Sequence, residues 1–122
     1  MTRGPTTVLI ADASPEVRDG LASIIRGQPD FDVVGEASNA DEVVTKVETV
    51  HPDILLIDAR LPGLGDTIQR IKEQLPTIKV LLIAVHSQHI QAFPPSEIDG
   101  SLMKDSPRQA LLQELRRLAA LP

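Results

Sequence analysis

Two uninterrupted apolar runs, Ile54-Leu55-Leu56-Ile57 and Val80-Leu81-Leu82-Ile83, constrain this chain more than any other feature. A β-strand sends successive side chains to opposite faces, so a run that is apolar at every position is covered on both. Strands buried in that way belong to parallel sheets with helices packed above and below. Three further runs have strand character: Thr7 to Asp12, Phe31 to Glu36 and a weaker one from Gly100 to Lys104. With Asp53 to Asp58 and Lys79 to Ala84 they make five.

Helical patterns alternate with these runs. Ser14-Pro15 is a cap residue followed by proline at the first helical position, and Val17, Leu21, Ile24 and Ile25 follow at helix spacing. Ser106-Pro107 repeats the device before Leu111, Leu115 and Leu118. Between them, one helix from about Asn39 carries Val43, Val47 and Val50 and stops at His51-Pro52. Another carries Ile68, Ile71 and Leu75 and stops at Pro76. Pro94-Pro95 leaves room for only one or two turns from about Ser87 to Phe93. Alternating strands and helices predict right-handed crossovers and a doubly wound parallel α/β sheet with helices on both faces. Ligands of such sheets sit at the carboxyl ends of the strands, where Asp12, Asp58, Ala84 and Lys104 stand.

At 122 residues the chain has the length of one domain, taken as 1–122, and folding buries roughly two thirds of its unfolded surface. No run approaches the ~20 apolar residues of a membrane span. The start, MTRGPTT, has neither an apolar stretch nor a cleavage site, so a cytoplasmic protein without a secretory leader is expected, and the absence of cysteine fits that setting. A net charge of -5 argues against nucleic-acid binding, because that affinity rests on clustered Lys and Arg. Phe31 and Phe93, the only aromatics, leave little to stack on bases or a flavin.

The segments VLIADASPEVRDGL, FDVVGEA, HPDILLIDARLPG, IKVLLIAVHS and DGSLMKDSPRQALLQEL occur in the order and nearly the spacing of a known family. Through them the chain resembles the receiver domain of bacterial response regulators, particularly the type that precedes a helix-turn-helix output domain. The resemblance implies a flavodoxin-like strand order of 2-1-3-4-5. It also implies that Asp58 occupies the position that takes a phosphoryl group from a kinase phosphohistidine, and Lys104 the position that binds that group. Asp12, Asp58 and the backbone carbonyl of Arg60 match Mg²⁺ ligands. A cation is needed there because a carboxylate attacking phosphorus meets anionic repulsion.

Other positions depart from the family. Ala13 stands where a second acid usually follows the first strand, Ala84 where a hydroxyl ends the fourth, and Ser101 where the fifth carries an aromatic. Losing one charged contact worth ~1.5–3 kcal/mol weakens Mg²⁺ by roughly one to two powers of ten. The expectation is therefore a degenerate receiver with weak or no phosphorylation, acting as an interaction or dimerisation module. Its partner would be a histidine kinase, another signalling protein or a second copy. The alternative is a functional Mg²⁺-dependent receiver, phosphorylated on Asp58 and regulating transcription through an attached DNA-binding domain. An enzyme on the same sheet type finds little support. No glycine-rich phosphate loop follows the first strand, and Asp58-Ala59-Arg60 lacks the second aspartate of haloacid-dehalogenase-type phosphatases. With no cysteine and no spaced carboxylate, His86 and His89 are expected to be solvated loop residues rather than zinc ligands.

Overall fold

The computed structural model describes residues 4–122. Residues 1–3, where the segment read for a leader begins, lie outside the described residues. Five strands, β1 (Thr6–Ala11), β2 (Phe31–Ala37), β3 (Ile54–Asp58), β4 (Lys79–Ala84) and β5 (Gly100–Met103), alternate with five helices. These are α1 (Pro15–Arg26), α2 (Ala40–Val50), α3 (Leu64–Gln74), α4 (Ser87–Gln91) and α5 (Arg108–Ala119). The strands form one sheet in the order β2-β1-β3-β4-β5, and every pairing is parallel. This is the flavodoxin-like order.

The two apolar runs behave as their composition demands. Leu55, Ile57, Leu82 and Ala84 face a core completed by Val43 and Val47 of α2 and by Ile68 and Ile71 of α3. Their neighbours Ile54, Leu56, Leu81 and Ile83 face the opposite core, with Ala22 and Ile25 of α1 and Leu111, Leu115 and Leu118 of α5. Each fully buried Leu or Ile contributes about 1.5–3 kcal/mol from surface removed from water. Only strands clad on both sides collect that at every position. At the sheet edge, β2 carries a register shift opposite Val8 and Leu9. Gly35 sits there because a Cβ would come within 3.2 Å of the Leu9 side chain.

Most element ends follow local chemistry. Ser14 caps α1 by accepting from the Val17 amide, with Pro15 as the first helical residue. Asn39 caps α2 by accepting from the Glu42 amide, and His51 ends that helix in the left-handed region at φ 45°. The helix α4 is a single short segment before Pro94. The last helix corrects the expectation. Pro107, not Ser106, is its N-cap, no side chain caps it, and α5 begins at Arg108. The Ser106 amide instead bonds back to the Met103 carbonyl in the turn that follows β5. A residue preceding proline disfavours the helical conformation, so Ser106 stays in the turn.

Candidate functional site

The carboxyl ends of β1, β3, β4 and β5 bring three charged side chains into one cluster. Asp12 is the first residue beyond β1, and its amide continues the ladder by donating to the Ala37 carbonyl at 3.0 Å. Asp58 is the last residue of β3, opposite Ile83 of β4. Lys104 directly follows β5, fixed by its amide's bond to the Ala84 carbonyl at 2.8 Å. Its Nζ donates to Asp12 Oδ2 at 2.8 Å and to Asp58 Oδ2 at 3.1 Å.

The remaining carboxylate oxygens are also bonded. Asp12 Oδ1 accepts from the Ser14 amide at 2.9 Å, and Asp58 Oδ1 from the Arg60 amide at 3.0 Å. The Arg60 guanidinium Nε lies 3.5 Å from the same Asp58 oxygen. Arg18 reaches the backbone carbonyl of Asp12 at 2.6 Å and steadies the start of the loop. The side chains of Asp12 and Asp58 are only 2% and 5% exposed, against 17% for Lys104 and 50% for Arg60. Burial by itself pushes the Asp58 carboxyl up. The Arg60 amide, the Lys104 hydrogen bond and the two positive charges together outweigh it and hold the group below its ordinary value. Asp58 is therefore an ionised, nearly buried carboxylate at physiological pH.

An open cleft of ≈ 270 Å³ lies over this cluster, between Asp12, Ala13 and Ser14 on one side and Asp58, Arg60 and Leu61 on the other. Ala84 adjoins the cluster through its backbone but brings no hydroxyl to it. Ser101 pairs with Leu82, two positions before the Ala84–Met103 pair at the strand ends. His89 departs from the expected solvated loop: it is half-buried within α4, its ring 5.6 Å from that of His86. Its Nδ1 is buried without a hydrogen-bond partner among the described residues. Sequence reasoning named Arg60 for its carbonyl only and missed its side chain. Two residues past Asp58, it is folded back onto the carboxylate by the turn after β3, which spacing alone does not reveal.

The Asp12–Asp58–Lys104 network resembles the Mg²⁺ pocket of receiver domains. Its donor set nevertheless fits a divalent ion poorly: Mg²⁺ prefers octahedral oxygen coordination, whereas the cluster offers two carboxylates, each already paired with the Lys104 ammonium. Among the described residues there is no group of three or more His, Cys, Asp or Glu side chains able to hold a metal.

The fold and this cluster define the class. Residues 8–116 match the family described as the response regulator receiver domain, and the chain belongs to it. It is a receiver domain of a two-component phosphorelay system, a signalling module and not a classical catalytic enzyme. The nitrate/nitrite response regulator NarL of Escherichia coli K12 is 32% identical over 120 residues, covering 95% of this chain and 56% of that protein. The transcriptional regulatory protein BtsR of Salmonella typhi is 35% identical over 114 residues, covering 91% and 47%. The chain thus spans about half the length of these curated relatives. Among solved structures, the receiver domain of the response regulator NarL from Mycobacterium tuberculosis superposes with a TM-score of 0.81 at 26% identity, covering 98% of this chain and 100% of that one. The isolated RcsB receiver of Salmonella enterica, solved with a beryllofluoride phosphomimetic, shares the fold with a TM-score of 0.84 at 21% identity, covering 95% and 89%. No helix among the described residues is long and apolar enough to cross a membrane.

Proposed function

We propose that residues 1–122 form the phosphoryl-accepting domain of a cytoplasmic transcriptional response regulator, with Asp58 as acceptor, Lys104 as the cation that binds the transferred group, and a DNA-binding module attached. The observation that carries this reading is the Lys104 ammonium bonded to Asp58 Oδ2, beside an acid held ionised in an open cleft. An ionised carboxylate is the form that attacks phosphorus. In the transfer from a histidine kinase, an Asp58 oxygen bonds to phosphorus as the P–N bond breaks. The imidazole nitrogen leaves with that electron pair. Lys104 and the Arg60 guanidinium stand where negative charge gathers on the phosphoryl oxygens. The relatives that carry transcriptional regulation in their names support the attached output module.

A second reading is favoured by Ala13, Ala84 and Ser101, which lack the second acid, the hydroxyl and the aromatic the family uses. It is a constitutive interaction or dimerisation module that rarely carries phosphate. Intact mass measured after incubation with acetyl phosphate separates the two. The first reading expects one added phosphoryl group, absent in Asp58→Asn. No added mass at any donor concentration would leave the interaction module standing.

A further inference from the structure

Arg60 brings a second cation to the pocket, beside Lys104. Its guanidinium faces Asp58 Oδ1 at 3.5 Å while Lys104 holds Asp58 Oδ2 and Asp12 Oδ2. Both oxygens of Asp58 therefore look onto a cation, and two buried acids are matched by two cationic side chains. We infer that Arg60 and Lys104 together replace the divalent cation in this chain, so that the pocket is charge-balanced without metal and Arg60 keeps Mg²⁺ out of it.

Three observations carry the inference. Ala13 puts a methyl group where a third carboxylate would restore the need for a doubly charged ion. Arg60 has no other acidic partner among the described residues, so its charge is directed at Asp58 alone. The weak hydration of a guanidinium also suits it to a carboxylate removed from water. Half of the Arg60 side chain is exposed, which screens its outer side. Asp58 is 5% exposed, so a cation drawn to its carboxylate meets the Arg60 charge with less screening than in bulk water.

The test is a Mg²⁺ titration of the folded chain, followed through the backbone amide signals of Asp12, Asp58 and their neighbours. Arg60→Met is expected to bind Mg²⁺ roughly tenfold or more tightly than the unaltered chain, because one like charge has gone from the cleft. Arg60→Lys, which keeps the charge, is expected to stay within about threefold of the unaltered chain. Equal Mg²⁺ affinity in the unaltered chain and Arg60→Met would overturn the inference, and unchanged circular dichroism guards against a folding artefact.

A second arm rests on Asp58 being the acceptor. With acetyl phosphate in excess EDTA, an Asp58 oxygen bonds to phosphorus and acetate departs with the electron pair of the broken P–O bond. The unaltered chain is expected to gain the phosphoryl mass and Arg60→Met to gain it only with Mg²⁺. Phosphorylation of the unaltered chain that strictly requires Mg²⁺ sinks the inference and leaves the acceptor reading intact. If neither protein is phosphorylated under any condition, the acceptor reading fails and the Mg²⁺ titration alone decides the inference.

Discussion

Lys104 Nζ donates to Asp12 Oδ2 at 2.8 Å across 92 residues of sequence, and the same ammonium holds Asp58. One side chain thus ties the ends of β1, β3 and β5 together at the mouth of the sheet. The arrangement is tolerable only while the cation remains, because both acids are nearly buried.

Lys104→Met should therefore destabilise the domain by about 3 kcal/mol at neutral pH, the scale of breaking a buried pair from one side. Urea denaturation measures it. Adding Asp12→Asn to Lys104→Met should recover part of the loss, since it removes one of the two stranded charges. A loss well under 1 kcal/mol, or no recovery in the double variant, would mean that water already screens the cluster.

The pH dependence follows from the direction of the Asp58 shift. Its folded carboxyl titrates below its ordinary value, with burial opposing and the Arg60 amide, Lys104 and the two positive charges prevailing. A depressed carboxyl contributes stability that is fully present above the unfolded value of about 3.9 and is lost as pH falls through the folded one. Asp58→Asn should flatten the decline in urea midpoint below about pH 4 while changing little of its slope above pH 6. A carboxyl carbon titration of Asp58 in the folded domain reports the same shift directly. A midpoint above the unfolded value would reverse the sign and refute the argument.

Much of this site was legible because strand ends converge by topology. Once Asp12, Asp58 and Lys104 are assigned to the ends of parallel strands, their meeting follows from the order β2-β1-β3-β4-β5. The unbroken apolar run exposed the two-sided burial of Leu55 and Leu56 equally well. The Arg60 side chain was hidden for a physical reason: its approach to Asp58 depends on the turn after β3, where the Ala59 amide bonds Ile83 and the Leu61 amide bonds Asp58. No spacing rule encodes that fold-back. The half-burial of His89 was missed likewise: a short helix was expected from Ser87, but so few turns do not show which of their residues face the core.

The two Ser-Pro pairs look alike in sequence and differ in structure, which makes them a matched test of capping. Ser14 Oγ accepts from the Val17 amide, while α5 has no side-chain cap. Ser14→Ala should cost about 1 kcal/mol, and Ser106→Ala should fall within about 0.5 kcal/mol of the unaltered chain. Equal losses in chemical denaturation would show that Ser106 caps α5 in solution.

Ala13→Asp restores a third carboxylate to the cleft, beside two acids whose oxygens already face Lys104, Ser14 and Arg60. Without metal, the added charge has no free cation to meet and should lower stability slightly, by about 0.5 kcal/mol at this exposed position. With Mg²⁺ the balance changes, because the new oxygens have no protein donor to displace. Affinity should rise by roughly one to two powers of ten over the unaltered chain. Combining it with Arg60→Met should raise it further, since each change removes a separate obstacle, a missing ligand and a repelling charge. Thermal denaturation with and without Mg²⁺ reads both effects, because a ion bound only by the folded state raises the melting temperature. If Ala13→Asp gains no Mg²⁺-dependent stabilisation even with Arg60→Met, the missing acid is not what keeps the metal out, and Lys104 alone closes the site.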